Sequence, residues 1–235
     1  MKTLAVIPAR GGSKRIPRKN IKLFGGRPMI AWSIEAARRA ACFDAVIVST
    51  DDEEIAGVAR DYGAQTPFIR PASLADDYAG TVPVIAHAAA TMAGLGLAAD
   101  IVCCIYATAP FVTGDLLEDA VARLIVDPGL SYALSVVEYS YPIQRALRIG
   151  AEGRASMIDP SQLTTRSQDL QPSYHDAGQF YAGKARAWIA QEPVFGQFTA
   201  PVVLPSYRVH DIDTPDDWVR AELMFKAWME MDGRQ

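Results

Sequence analysis

Two short stretches hold side chains whose types and spacing could do chemistry. The first is IPARGGSKRIPRKNI, Ile7–Ile21, with two glycines, two prolines and five cations but no carboxylate. Glycines let backbone N–H groups come close to an anion. Arg10 can then pair phosphate oxygens through its planar fork, and Lys14 and Lys19 as point charges. The loop has neither the GK[ST] ending of a Walker A motif nor the GxGxxG of a dinucleotide fold. A plain solvated basic loop is the competing reading; the glycines directly after a buried strand favour a polyphosphate. The second stretch is His210-Asp211-Ile212-Asp213-Thr214-Pro215. Two carboxylates at i and i+2 of an extended segment point the same way. Such a pair suits Mg²⁺, a hard cation that takes few protein oxygens and completes its shell with substrate phosphates and water. Asp213 or Thr214 could instead merely cap the helix that follows.

The elements around these stretches alternate as in a mostly parallel sheet covered by helices. Strands are expected at Thr3–Ile7, Ala45–Ser49, Ile101–Tyr106 and Tyr132–Glu138. Helices are expected near Pro28–Ala40, Asp52–Tyr62, Val82–Leu95, Asp115–Val126 and Pro215–Met231. Thr81, Thr113 or Asp115, and Asp51 or Asp52 are candidate N-caps. The Asp76-Asp77 pair reads as a lead-in to the Thr81 helix, not a metal site. The basic loop then lies at the carboxyl end of the first strand, where open α/β sheets bind ligands. Between residues 139 and 180 the rhythm breaks. ALRI and ASMI around GAEGR look like a hairpin, and so long an irregular segment usually serves as a lid, an arm or a subunit contact. Four tryptophans on helical segments and Cys103-Cys104 in an apolar strand read as packing residues.

Bulk properties narrow the class further. Of 235 residues, 23 are basic and 27 acidic, net −4. Eight cations and no acid fall in residues 1–27, whereas the other 208 residues carry 15 basic against 27 acidic groups. An acidic body with one basic strip does not suit a nucleic-acid binder, which is basic over a face. No apolar run reaches the roughly 20 residues of a membrane span, and the first one, about five residues, is short of a signal-peptide core. Three cysteines without metal-ligand spacing suggest a reduced, cytoplasmic protein lacking structural disulfides.

With these motifs in hand, the chain resembles the cytidylyltransferases that activate nine-carbon acidic sugars, typified by CMP-sialic acid synthetases. The resemblance rests on IPARGGSK with PRKN at residues 7–20, Arg70-Pro71, the strand ending in ATAP at 107–110, and DIDTPDDW at 211–218. YHDAGQFY (Tyr174–Tyr181) and YPIQRAL (Tyr141–Leu147) are most similar to the pseudaminic acid branch. Sialic acid enzymes tend to have Gln-Pro-Thr-Ser-Pro where Tyr106-Ala107-Thr108-Ala109-Pro110 stands here, which is compatible with a different sugar.

The resemblance implies a three-layer, Rossmann-like nucleotidyltransferase fold over 1–235, with a small arm at 139–180 that pairs subunits into a homodimer. It implies CTP as co-substrate, with no nucleic-acid or membrane partner, and a role in surface glycan or flagellin glycosylation. Arg10, Ser13, Lys14 and Lys19 would contact the triphosphate and Asn20 the nucleoside. Pro8, Ala9 and Arg70 would surround the cytidine, with Gly11 and Gly12 in the same loop. Asp211 and Asp213 would hold Mg²⁺. Tyr106, Thr108, Gln144, Arg145, His175, Asp176, Gln179 and Tyr181 would face the sugar. The residues expected to act in catalysis are Arg10, Lys14, Lys19 and Asp211. Taken alone, Arg70 reads as an ordinary exposed arginine and His175-Asp176 as a loop hydrogen-bond pair. Arg145, Arg148, Arg154 and Arg166 are open to two readings, a substrate carboxylate or a subunit contact. For the whole chain, the rival readings are a legionaminic or sialic acid synthetase, a glycosyltransferase with a DxD metal pair, and a catalytically silent nucleotide-binding protein.

Overall fold

The computed structural model describes residues 1–76, 78–231 and 233; Asp77, the second half of the Asp76-Asp77 pair, lies outside the described residues. In chain order the elements are β1 (Thr3–Pro8), β2 (Leu23–Phe24), β3 (Arg27–Pro28), α1 (Met29–Arg39), β4 (Ala45–Ser49), α2 (Glu53–Asp61), α3 (Thr81–Gly94), β5 (Ile101–Ile105), α4 (Gly114–Val126) and β6 (Tyr132–Glu138). There follow β7 (Leu147–Ile149), β8 (Ala155–Met157), β9 (Tyr174–Lys184), α5 (Ala185–Ile189), β10 (Thr199–Val203) and α6 (Pro215–Met231). The expected strands and helices appear within a residue or two of their anticipated ends.

Six strands form one sheet in the order β10-β6-β9-β5-β1-β4. Pairings β1–β4, β1–β5 and β6–β10 are parallel, whereas β9 pairs antiparallel with both β5 and β6. The sheet is covered on both faces, which explains why its central strands are continuously apolar rather than alternating. Ala5, Ile7, Ile101, Cys103 and Ile105 pack on one side with Ile30 and Ile34 of α1 and Leu117 and Val121 of α4. Leu4, Val6, Val102 and Cys104 pack on the other with Ile85, Ala88 and Met92 of α3 and Trp188 of α5. No helix of the described residues is long and apolar enough to cross a membrane.

A third cluster lies beyond the sheet's edge and matters most for the site. Ile16 of the basic loop, Phe24, Met29, Phe111 and Ile212 pack against Trp218, Phe225 and Trp228 of α6. Phe24 meets Trp218 and Phe225 edge-on, with ring centroids 5.4 and 5.2 Å apart. This aromatic knot joins the loop after β1 to the segment before α6, nearly 200 residues later in the chain.

Two expectations need correction here. Thr81 does not cap α3: it is the first helical residue, Gly80 holds the cap position, and the Thr81 hydroxyl instead meets the Tyr106 hydroxyl at 2.8 Å. Nor is 139–180 one irregular arm. The hairpin β7–β8 forms as expected, with Leu147 opposite Met157, but Tyr174 onward belongs to β9. The ladder between β6 and β9 slips between Leu134 and Val136, and Gly178 takes φ +60 at the slip. Glycine adopts that conformation without strain, and such a bulge re-aims nearby side chains.

A two-part cavity at the carboxyl edge of the sheet

All five parallel strands end on the same edge, and β9 begins there because it runs the other way. Side chains from the ends of β1 and β5 and from the start of β9 therefore converge. Two adjoining cavities result, of about 260 and about 540 Å³, and Lys19, Tyr106, Thr108 and Asp213 line both.

The smaller cavity gathers Pro8, Arg10, Ser13, Lys14, Arg15, Lys19, Asn20 and Arg70 around its wall, with Thr81 and Tyr106 at its far side. Most of the residues expected around a nucleotide are thus brought together. Asn20 is buried and donates from Nδ2 to the Arg10 carbonyl at 2.9 Å, while its own carbonyl accepts from the Ile30 amide at 2.8 Å. Arg10 donates from Nη1 to the Asp76 carbonyl at 2.9 Å, and the Asp76 carboxylate turns the chain by accepting from the amides of Tyr78 and Ala79. Arg70 is no ordinary exposed arginine. It is only 4% exposed, and its Nε and Nη2 are buried without a hydrogen-bond partner. Burial pulls its pKa below the usual arginine value, against the opposing effect of Asp51.

Three residues of the expected nucleotide set do not line the cavity. Ala9 is buried, and its amide donates to the Ser49 carbonyl at 2.9 Å. Gly11 does not offer its N–H to an anion, since Asp51 Oδ1 already accepts it at 3.0 Å. What demands glycine there is a close approach: a Cβ would sit 2.5 Å from Asp52 Oδ2. Gly12 has open space around its Cα and lines neither cavity. Asp52 caps α2, accepting from the amides of Glu54 and Ile55, and grips Arg18 through both oxygens at 2.5 and 3.1 Å. The Arg18 contact holds its carboxyl down at about 2, assisted by those amides against the effect of burial.

The larger cavity is lined by His175, Asp176, Ala177, Gly178 and Tyr181 from β9 and by Val209–Asp213. Tyr181 donates its hydroxyl to Asp176 Oδ2, and Asp176 Oδ1 accepts from the Gly178 amide at 2.9 Å. The Tyr106 ring stands edge-on to Tyr181 at 5.5 Å, and burial pushes the Tyr106 phenol up to about 12. His175 stacks at a tilt on Tyr139, 4.7 Å between centroids. His210 packs on Phe111, and burial lowers its pKa.

Three expected sugar-facing residues are not in this lining. Gln179 is buried beneath it and donates to the Arg208 carbonyl at 2.5 Å. Gln144 and Arg145 sit on a 3-10 turn, Ile143–Arg145, and brace the arm by donating to the carbonyls of Gln171 and Thr165. Sequence adjacency to YPIQR gave no sign that these side chains would turn inward on their own segment. Arg15, Thr81 and His210 are lining residues that the motifs did not single out as ligands. For Thr81 the only visible signal pointed to a helix cap.

The carboxylate pair sits where the cavities meet. Ile212 is 3% exposed and packs into the aromatic knot, so Asp211 and Asp213 are turned together toward the larger cavity. Neither caps α6. That task falls to Thr214, whose Oγ1 accepts from the Asp217 amide at 3.2 Å while Asp217 Oδ2 accepts from the Thr214 amide at 2.9 Å, a reciprocal cap. Asp213 pairs with Arg15 at 2.9 Å and Lys19 at 3.4 Å, and Lys19 also donates to the Ile212 carbonyl at 2.8 Å. Burial and the charge of Asp213 raise the pKa of Asp211, against the lowering effect of Lys19 and Arg15. The donor set fits a hard divalent cation. Among the described residues no third His, Cys, Asp or Glu joins the pair, so oxygens from a bound phosphate and water would complete the shell.

Comparison with known proteins agrees with this geometry. A cytidylyltransferase family model matches residues 4–143. Over 97% of each chain the protein is 44% identical to the pseudaminic acid cytidylyltransferase of Campylobacter jejuni subsp. jejuni serotype O:2. It is 31% identical to the CMP-N,N'-diacetyllegionaminic acid synthase of Legionella pneumophila, over 98% of this chain and 99% of that one. Among solved structures, a CMP:2-keto-3-deoxy-manno-octonic acid synthetase complexed with CTP matches the fold with a TM-score of 0.69 at 20% identity, covering 97% of this chain and all of that one. The mixed, mostly parallel sheet, the cationic loop after its first strand and these likenesses have one common explanation: the chain belongs to the cytidylyltransferase family of nucleotidyltransferases.

Proposed function

We propose that the protein joins CMP from CTP to a nine-carbon acidic sugar, pseudaminic acid, and releases pyrophosphate. The observation that carries this reading is the pair of adjoining cavities, one ringed by cations and one walled by tyrosines and carboxylates, with Lys19 and Asp213 at their junction. The choice of sugar draws its support from the 44% identity to the Campylobacter enzyme.

In this reading CTP occupies the smaller cavity. Arg10, Ser13, Lys14 and Lys19 hold the triphosphate, and Asn20, Arg70 and the Pro8 backbone hold the nucleoside. The sugar occupies the larger cavity against Tyr106, Thr108, His175, Asp176 and Tyr181. Its anomeric hydroxyl attacks the α-phosphorus in line; the new C–O–P bond forms as the bond to the β-phosphate oxygen breaks, and the hydroxyl proton leaves to solvent. Such a displacement asks the protein mainly for positioning and charge stabilisation. Lys14 and Arg10 offset charge gathering on the departing pyrophosphate. Asp211 and Asp213 would hold Mg²⁺, which when bound polarises phosphoryl oxygen and lowers the pKa of a bound hydroxyl.

The reading extends to assembly. The arm between β6 and β9 exposes Tyr141, Leu147, Ile149 and Leu163, a set of apolar side chains better explained by a second copy than by solvent. It would make the protein a homodimer. The three free cysteines suit the cytoplasm, where the nucleotide and the sugar acid would be met.

The test is to incubate the protein with CTP, Mg²⁺ and, separately, pseudaminic, legionaminic and sialic acids, and to measure pyrophosphate. Release should be fastest with pseudaminic acid. Faster release with another sugar would reassign the substrate, and no release with any of the three would overturn the reading.

A further inference from the structure

One carboxylate behind the smaller cavity lines neither cavity and yet touches two parts of the smaller one's frame. Asp51 follows β4 directly. Its Oδ1 accepts the Gly11 N–H at 3.0 Å and stands 3.6 Å from Arg70 Nη2. The Arg70 backbone is fixed to the same strand end, its amide donating to the Thr50 carbonyl at 2.8 Å. Asp52 holds the outer side of the loop through Arg18. Two consecutive acids thus grip the basic loop from behind.

The length of the Asp51–Arg70 contact decides its meaning. At 3.6 Å it is an ion pair without a hydrogen bond. Asp51 therefore offsets the charge of a buried guanidinium without using its donors, and Nε and Nη2 stay without a hydrogen-bond partner. Removing such a counter-charge is costly, because it leaves a buried cation alone. We propose that Asp51 is a positioning residue for nucleotide binding: one carboxylate oxygen fixes both the glycine of the phosphate loop and the buried Arg70, so that the loop and the arginine meet the same ligand in register. This rests on CTP occupying the smaller cavity.

The test is calorimetric titration of CTP with Mg²⁺ into the full-length protein without sugar, alongside steady-state pyrophosphate release. Asp51→Ala should weaken CTP binding and raise its KM by about 10–100-fold, the range for hydrogen bonds and pairs with a charged partner. The sugar KM and kcat should stay within about threefold, a split that a loss of folded protein would not produce. Asp51→Asn keeps an acceptor for Gly11 but loses the charge, and should fall between the two. In an Arg70→Ala background, Asp51→Ala should cost clearly less than in the wild type, since the shared partner is gone. Wild-type CTP affinity in both Asp51 variants would overturn the proposal, as would additive costs in the double variant. If Asp51→Ala does not fold, Asp51→Asn decides by the same criterion. A wild-type protein that fails to bind CTP would instead overturn the functional reading beneath.

Discussion

The two cavities share four residues and an edge of the sheet, but they are built differently. The smaller is finished within one chain. Its loop is tied down by Asp51 and Ser49, its asparagine by the Arg10 carbonyl, and its arginine is buried. The larger has a firm floor in Tyr106, Tyr181 and Ile212 and an exposed rim in His175 and Asp176, beside an arm whose apolar side chains are exposed. Its lining holds three carboxylates, Asp176, Asp211 and Asp213, against one ammonium, Lys19. A sugar acid adds a further negative charge there. On the proposed reading a metal on the aspartate pair or an arginine of the arm would offset it. The contrast teaches that, on that reading, the triphosphate site is preorganised in the single chain, whereas the sugar site depends on what is added to it.

The largest expected effect tests that dependence. Asp211→Asn removes from the larger cavity one of the two carboxylates proposed to hold Mg²⁺. A divalent ion contributes several kcal/mol at a phosphoryl centre, so turnover should fall by about a thousandfold or more. Burial and the neighbouring Asp213 already raise the pKa of Asp211, so its charge adds little to the fold, and Ile212 does the packing. Thermal stability should therefore stay within about 2 °C, a shift that for a domain of this size corresponds to under 1 kcal/mol. Pyrophosphate release against Mg²⁺ concentration, with a melting curve beside it, checks both halves. An unfolded variant would mean that the aspartate is structural.

A smaller effect would separate the cavities from each other. Ile149 is 75% exposed on β7 and Leu147 60%, on the same strand face. Changing both to Asp places two charges in the proposed subunit contact. The protein should sediment as a monomer, with kcat/KM for the sugar down by about tenfold, roughly 1.4 kcal/mol. CTP affinity should stay within about twofold, because no residue of the smaller cavity lies in the arm. An unchanged sedimentation coefficient would remove the arm from the dimer.

How much of this could be read from the chain follows the same division. The smaller cavity was legible because its chemistry is contiguous: one strand, one loop, five cations and two glycines within fifteen residues. Even so, the assignment of Gly11 to an anion missed Asp51, whose approach comes from another strand and leaves no local signal. The larger cavity was only half legible. His175, Asp176 and Tyr181 line it, but Gln179, two residues from Tyr181, is buried under it instead. The bulge at Gly178 breaks the period of two along β9, and nothing in YHDAGQFY marks where. The same break hid the strand, whose first three residues are exposed and polar or aromatic where an interior strand would be apolar. Gln144 and Arg145 were placed by likeness to a motif. A motif names neighbours in sequence, and these two spend their hydrogen bonds inside the arm.

The smallest effect concerns the boundary between the carboxylate pair and the helix. Asp213 and Thr214 are adjacent, and either could cap α6 by its residue type. The structure divides the work: Thr214 and Asp217 cap each other, and Asp213 turns to Arg15 and Lys19. Thr214→Ala should then cost about 1 kcal/mol of stability, the usual value of a lost N-cap. It should leave kcat and the Mg²⁺ dependence within about twofold, since Ile212 in the aromatic knot anchors the segment and the Asp213 amide keeps its bond to Asp217 Oδ2 at 3.3 Å. Denaturant unfolding and pyrophosphate release on the same preparation make the comparison. If Thr214→Ala shifts the Mg²⁺ requirement as strongly as it shifts stability, the cap and the metal pair are one unit, and the junction between the cavities is held by the helix end, not by the hydrophobic anchor.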